Sequence, residues 1–275
     1  MIQKLTIVGV GLLGGSIGLA VRERKLAKQV VGVEINPHTR AEATTRRAVE
    51  QCTDRLGLGV VGADMVVLAS PVSAILEDIA RLKPTLAEGA VVTDIGSVKS
   101  AIALAGQSLQ GAFVPGHPMA GGTHGGVAAA HADLFEGATW ALTPDATTSP
   151  EALKRVCALV EGLGARVLLL SAEEHDRSVA VTSHLPHLLA YALSATAGLT
   201  GSEAALEAAS FREGTRVCAS PPGIWREICL ENRKALGDAL DLCIGELDAM
   251  LKALDRGEGE ALEVLLRKGY RDPNL

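Results

Sequence analysis

Three polar clusters, far apart in the chain, carry side chains able to move a proton or hold an anion. Gly116-His117-Pro118-Met119-Ala120-Gly121 holds a histidine flanked by glycines and by Pro118, which reads as a residue kept out of regular core structure. An imidazole titrates near neutrality, so His117 suits taking a proton from an alcohol whose carbon loses a hydride. Thr93-Asp94-Ile95-Gly96-Ser97-Val98-Lys99 ends an apolar run and falls at the carboxyl end of a strand, where open α/β sheets bind ligands. Ser97 is there either a hydroxyl facing a ligand or the N-cap of the next helix. Asp94 reads as an anchor for the turn, and His124 and His131 as surface residues. The third cluster joins Ser183-His184-Leu185-Pro186-His187 to Phe211-Arg212-Glu213-Gly214-Thr215-Arg216. His184 and His187 share a face at helical spacing, but no third ligand accompanies them, so no metal site is expected. Arg212 and Arg216 are each either solvated charges or planar forks for a carboxylate.

A glycine-rich turn supplies the other half of the chemistry. Gly9-Val10-Gly11-Leu12-Leu13-Gly14 follows the first apolar run directly and opens a helical pattern. In such a turn the first glycine permits the bend, the second lets backbone approach a pyrophosphate, and the third lets helix and strand pack. The helix start adds unpaired N–H groups and a positive dipole end. Glu34 closes the second strand, where a carboxylate accepts ribose hydroxyls and repels a 2′-phosphate, so NAD is the expected cofactor. Arg40 points the other way, as a guanidinium able to take a 2′-phosphate, or is simply an exposed helix residue. The cofactor-facing set is Gly9, Gly11, Leu12, Leu13, Gly14 and Glu34, with Ser70 and Pro71 at the end of the third strand.

Positioning these groups falls to a regular alternation of elements. Apolar runs at 5–10, 30–34, 65–69, 91–94, 112–115, 140–142 and 165–170 alternate with helical patterns at 12–25, 37–50, 73–82, 98–106 and 150–162. Strands apolar throughout and separated by helices imply a parallel sheet covered on both faces, an α/β, Rossmann-type doubly wound fold. After residue 171 the strand signals stop, and helical patterns run at 172–199, 202–211, 222–254 and 258–268. A dinucleotide-binding domain over 1–170 and an all-helical domain over 171–275 follow. The apolar stripe Leu236, Leu240, Cys243, Ile244, Leu247, Met250, Leu251 and Leu254 is more than a domain of about 100 residues hides alone. A homodimer through the helical domain is expected.

Composition narrows the class further. Of 275 residues 48% are apolar, enough for a real core, and the net charge of −6 with no basic stripe argues against nucleic acid as a partner. Five scattered cysteines without a C-x-x-C pair suggest reduced thiols in the cytoplasm. The first strand leaves no room for a signal peptide, and the apolar stretch 185–199 falls short of the ~20 residues a bilayer needs. No membrane association is expected.

Segments 8–15 (VGVGLLGG), 93–99 (TDIGSVK), 116–121 (GHPMAG), 174–177 (EHDR), 183–187 (SHLPH) and the 212–225 region together resemble the prephenate/arogenate dehydrogenase family of tyrosine biosynthesis, over nearly the whole chain. That resemblance implies NAD(P)-linked oxidation of a ring hydroxyl of prephenate or arogenate with loss of the ring carboxylate. It implies that His117 is hydrogen-bonded to the hydroxyl and that Ser97 touches both hydroxyl and nicotinamide. His187, Arg216, Trp225 and Thr123 would line the substrate pocket, with Arg216 gripping a carboxylate. The family often has Gly and Asp where this chain has Ser210 and Glu213, and Glu where it has Thr123. The length leaves no room for a regulatory or mutase domain, so any control by tyrosine would act at or near the active site. Two other readings stand beside it. Hydroxyacid dehydrogenases and imine reductases share the architecture, but the former typically place a catalytic lysine in the helical domain, and Lys234, Lys252 and Lys268 show no matching motif. A non-catalytic NAD-sensing protein would need no proton acceptor beside the nicotinamide.

Overall fold

The computed structural model describes residues 1–122, 125–201 and 206–272. Its first part runs β1 (Ile2–Val8), α1 (Leu12–Glu23), β2 (Ala27–Val33), α2 (Pro37–Thr45), β3 (Gln51–Thr53), α3 (Leu56–Val60), β4 (Met65–Leu68), α4 (Val72–Leu82), β5 (Val91–Asp94), α5 (Ser100–Gly106) and β6 (Phe113–Val114). All six strands are parallel, in the order β3-β2-β1-β4-β5-β6, so the strand order reverses between β1 and β4. One face of the sheet is buried under α1, through Ile17, Ala20 and Val21. The other is buried under α3, α4 and α5, through Val60, Ile75, Ile79 and Ile102. Strands covered on both faces need apolar residues at every position, which is why their runs do not alternate.

Two short elements escape the pattern. β3 has three residues on the sheet edge and α3 has five, too few to show a period. Helix α2 stops at Thr45, well before residue 50, because Arg47 turns left-handed (φ 60°) and Ala48 N–H closes back onto the Ala43 carbonyl.

The last runs of this part do not join the parallel sheet. β7 (Gly116–Pro118), β8 (Thr139–Leu142), α6 (Pro150–Gly162) and β9 (Arg166–Leu169) build a second sheet, β7-β8-β9, whose first pair is antiparallel. Pro115, lacking an N–H, ends the ladder of β6, and the chain crosses directly into β7. His117 therefore lies inside a strand and is buried, not held outside regular structure by its proline and glycines.

The rest is helical: α7 (Ala172–Val179), a π-helical turn (Ala180–His184), α8 (Leu185–Thr200), α9 (Ala209–Thr215), α10 (Pro222–Glu231), α11 (Arg233–Asp255) and α12 (Gly259–Gly269). Of the pattern at 202–211, residues 202–205 lie outside the described residues. The long patterns at 172–199 and 222–254 are each divided, by the π turn and by Asn232. Asn232 is buried, and its amide donates to the Asp176 carbonyl (2.8 Å) and lies 3.1 Å from His184 Nδ1. Along α11, Leu236 and Ala239 are buried against Ala180 and Leu185, while Ile244, Leu247, Leu251 and Leu254 remain exposed. Among the described residues no helix is long and apolar enough to cross a membrane, and all five cysteines are free thiols.

Two carboxylates from the helical part close helix ends of the sheet-bearing part. Neither α4 nor α5 has a capping side chain of its own. Glu227 accepts from Ser73 N–H (3.4 Å) and hydroxyl (3.0 Å) at the start of α4. Asp176 accepts from Lys99 N–H (2.7 Å) and Ser100 N–H (2.8 Å) at the start of α5. Alongside Glu227, Trp225 and Ile228 pack on the core that includes Val72 and Ile75 of α4.

A buried ion pair joins the two sheets. Lys99 and Asp94 are both fully buried and hydrogen-bonded to each other. Asp94 also accepts from Gly96 N–H (2.7 Å) and Gly116 N–H (3.0 Å), while Lys99 Nζ donates to the Gly116 carbonyl (2.7 Å). Gly116 is thus held through both of its backbone groups. A Cβ there would stand 2.9 Å from the Asp94 carbonyl oxygen and from Trp140 Nε1, so only glycine fits. Lys99→Met should destabilise the fold by about 3–5 kcal/mol in urea denaturation, because it strands a buried carboxylate. Adding Asp94→Leu should recover only part of this, since Gly96 and Gly116 lose their acceptor.

Candidate active site

The carboxyl ends of β1 and β4 face the point where the strand order reverses, the crevice in which open α/β sheets bind ligands. Gly9 leaves β1 at φ 88°, and a Cβ on it would lie 2.7 Å from the Ala69 carbonyl carbon. The turn is therefore pressed against the end of β4, a closeness that glycine alone permits. Leu12 and Leu13 open α1, whose N-cap is Gly11. A Cβ on Gly11 would meet nothing within 4 Å, so the backbone there borders open space of the kind a pyrophosphate fills. Ser70, beside this turn, has a buried hydroxyl without a hydrogen-bond partner, and Pro71 is the N-cap of α4. These residues fit a dinucleotide: donors at a helix start, room above Gly11, and an unsatisfied hydroxyl at the strand end.

Glu34 follows β2 and spans the mouth of the turn. One carboxylate oxygen accepts from Val10 N–H (3.1 Å) and the other from Asn36 N–H (2.9 Å). Arg40 is spent locally, donating to the carbonyls of Glu34 (2.8 Å) and Ile35 (2.7 Å). Its guanidinium serves the β2–α2 turn, and the carboxylate is the charge set against the crevice.

His117 is reached from the far side of β5. Its Nδ1 lies 2.8 Å from His175 Nε2, and His175 Nδ1 lies 2.8 Å from Asp176 Oδ1, the carboxylate that also caps α5. Burial pushes the His117 pKa well below its ordinary 6.5, the Lys99 charge pushes the same way, and a proton on either His175 or His184 would add to it. His117 is therefore a neutral base at physiological pH. For Asp176, burial alone would raise the carboxyl, but hydrogen bonds from His175, Ser100 and Lys99 outweigh it and hold the group below the usual carboxylate range. Ser97, half-buried, lies in the turn between Asp94 and Lys99. Lys99 is the N-cap of α5, so Ser97 is not the cap that its place ahead of the helix suggested.

Two histidines of the third cluster gather around Trp225. His187 stacks on the indole with ring centroids 3.6 Å apart, and His184 meets it edge-on at 6.0 Å. The His187 Nδ1 lies 3.1 Å from the Ser183 carbonyl. Burial lowers the His187 pKa, Ser183 opposes this, and the nearby Arg216 charge lowers it further. His184, pushed down to about 4 chiefly by burial, lies within electrostatic reach of both His117 and His187. The described candidates on the substrate side thus form one continuous cluster. Arg216 is exposed and ends α9, whereas Arg212 is exposed and donates to the Glu207 carbonyl. Thr123 lies outside the described residues.

Sequence reasoning assigned no role to His175, Asp176, Asn232 or Lys99. The signal for the first two was the EHDR segment within a helix whose start is fixed by Ser171 and Glu174 in a capping box. Nothing local tied that segment to His117.

The family profile described as "Prephenate dehydrogenase, nucleotide-binding domain" matches residues 17–169, and the one described as "Prephenate dehydrogenase, dimerization domain" matches residues 171–268. The prephenate dehydrogenase of Bacillus subtilis (strain 168) is 33% identical over 282 residues, which cover 99% of this chain and 76% of that relative. The crystal structure of prephenate dehydrogenase from A. aeolicus in complex with hydroxyphenyl propionate and NAD+ matches with a TM-score of 0.89 at 32% identity, covering 98% of this chain and 96% of that one. Synechocystis arogenate dehydrogenase matches with a TM-score of 0.81 at 32% identity, covering 97% of each chain. By both profiles and by a relative 33% identical across 99% of this chain, the chain belongs to the prephenate dehydrogenase family.

Proposed function

We propose that this chain carries out NAD-dependent oxidative decarboxylation of prephenate, arogenate or both, giving 4-hydroxyphenylpyruvate or tyrosine. The observation that carries the reading is His117, a neutral imidazole buried in β7 and tied through Gly116 to the carboxyl end of β5. In this reading residues 1–170 form the dinucleotide-binding domain and 171–275 the substrate-binding and dimerisation domain. Gly9, Gly11, Leu12, Leu13, Gly14, Ser70 and Pro71 hold the cofactor, and Glu34 sets NAD over NADP. The bound dinucleotide supplies the acceptor for the hydride of the carbinol carbon.

The protein's own task is positioning and proton handling. Ser97 and His117 hold the ring hydroxyl, and His117 Nε2 takes its proton as the carbonyl forms. Loss of CO2 returns the electron pair through the ring to that oxygen, which takes the proton back, and aromatisation drives the step. Arg216 anchors a carboxylate from the pocket of His187, Trp225 and Thr123. The free thiols support a cytoplasmic location.

NADH formation with prephenate and arogenate, each offered with NAD and with NADP, tests the reaction. His117→Asn should lower kcat by roughly 10²–10⁴ while NAD affinity holds. Arg216→Ala should raise KM about 10- to 150-fold and Arg212→Ala should not, the reverse pattern moving the anchor to Arg212. The base must be neutral, and its lowered pKa means that it protonates only at lower pH. The acid limb of kcat/KM should therefore lie below pH 6.5, and a limb at or above that value would contradict the assignment.

The exposed row Ile244, Leu247, Leu251 and Leu254 on α11, with Val264 and Leu266 on α12, supports a homodimer through the helical domain. Light scattering should give twice the chain mass, and Leu247→Glu with Leu251→Glu should give a monomer. A wild-type monomer at micromolar concentration would rule the dimer out.

A further inference from the structure

We propose that His175, backed by Asp176, is a positioning residue for His117, fixing the ring in the tautomer protonated at Nδ1 and leaving Nε2 bare toward the cleft. The inference rests on the reading of His117 as the proton acceptor and names what makes it one.

The assignment follows by passing hydrogen-bond roles along the chain of groups. Asp176 is ionised and can only accept. Its Oδ1 takes Lys99 N–H at 2.7 Å and faces His175 Nδ1 at 2.8 Å, while Oδ2 takes Ser100 N–H at 2.8 Å. His175 Nδ1 must therefore carry a hydrogen. A neutral His175 then has a bare Nε2, 2.8 Å from His117 Nδ1, so His117 Nδ1 must be the donor. In a neutral His117 the remaining nitrogen, Nε2, is the free base. When that nitrogen gains the hydroxyl proton, the new charge is met through two hydrogen bonds by a carboxylate. The imidazole of a serine hydrolase is oriented by its aspartate on the same principle. A doubly protonated His175 would reverse the order and leave His117 protonated at Nε2, unable to accept.

The surroundings fix this geometry. His117, His175 and Asp176 are buried, and the two rings meet at 68° with centroids 5.0 Å apart. The Asp176 backbone carbonyl is bound by Asn232, so α7 is held at this residue from both sides. On the other side, Gly116 ties the strand carrying His117 to Asp94 and Lys99.

The experiment uses the NAD-loaded protein labelled with nitrogen-15, with the His117 resonances assigned against His117→Asn. The wild-type spectrum at neutral pH should show His117 protonated at Nδ1 and bare at Nε2; the opposite tautomer overturns the proposal. His175→Leu should mix the tautomers and lower kcat by about 10²-fold, the cost of a catalytic group misplaced by ~1 Å. KM and NAD affinity should change by less than about threefold, which separates lost positioning from lost binding. His175→Gln places an amide oxygen where Nε2 stood and should keep kcat within about tenfold of wild type. Unchanged kcat and an unchanged His117 tautomer in His175→Leu would overturn the role. Should His175→Leu fail to fold, the wild-type tautomer and the glutamine variant decide the matter between them. If His117→Asn stops turnover and His175→Leu does not, this proposal alone fails. If His117→Asn turns over normally, the reading of His117 as the base fails with it.

Discussion

Lys99 and Asp94 are buried side by side, and two charges out of water are stable only while every hydrogen-bonding position around them is filled. The chain meets that demand with backbone groups of its own. Gly116 gives both its N–H and its carbonyl to the pair, so the start of β7 cannot move without unpairing a buried charge. His117 is the next residue. The same lysine offers its own N–H to Asp176, the carboxylate behind His175. One ion pair thus fixes the strand that carries the candidate base and one end of the hydrogen-bonded chain that orients it. Losing either partner would strand the other charge out of water, so the pair resists any rearrangement that separates them.

The two sides of the cleft use opposite electrostatics. Around Gly9–Gly14 the backbone presents donors and room for an anion, with the single charge of Glu34 at the rim. Around His117 the protein removes water and surrounds a neutral ring with groups that disfavour its cation. A base that must take a proton and then give it back gains from holding that proton weakly. Arg216 sits at the other extreme, exposed and permanently charged.

Much of the fold was legible because it depends on local pattern. Seven apolar runs read as strands, and the Gly9–Gly14 turn with Glu34 stood at the spacing the crevice needs. The misses share a cause. β7 is three residues, two of them Gly and Pro, so its strand character comes only from pairing with β8 across an intervening loop. Asn232 looks like any mid-helix polar residue, yet its amide is claimed by Asp176 and His184 from other elements, and the helix breaks there. In the candidate site, His117 and Ser97 stood out through strand-end position, a property of the local chain. His175 and Asp176 did not, because 58 residues separate His117 from its partner and no periodicity links them. Lys99 has no role legible in the sequence, because only the folded turn brings it back onto Asp94.

The starts of α4 and α5 lie beyond the carboxyl ends of β4 and β5, and both borrow their terminal acceptor from the helical part, from Glu227 and from Asp176. A helix deprived of its cap loses about 0.5–2 kcal/mol and frays from that end first. Separating the two parts would therefore uncap both helix starts at once, and a sheet-bearing part without its helical companion would lack both acceptors. Order at these two helix starts is therefore tied to the docking of the helical part, through two carboxylates.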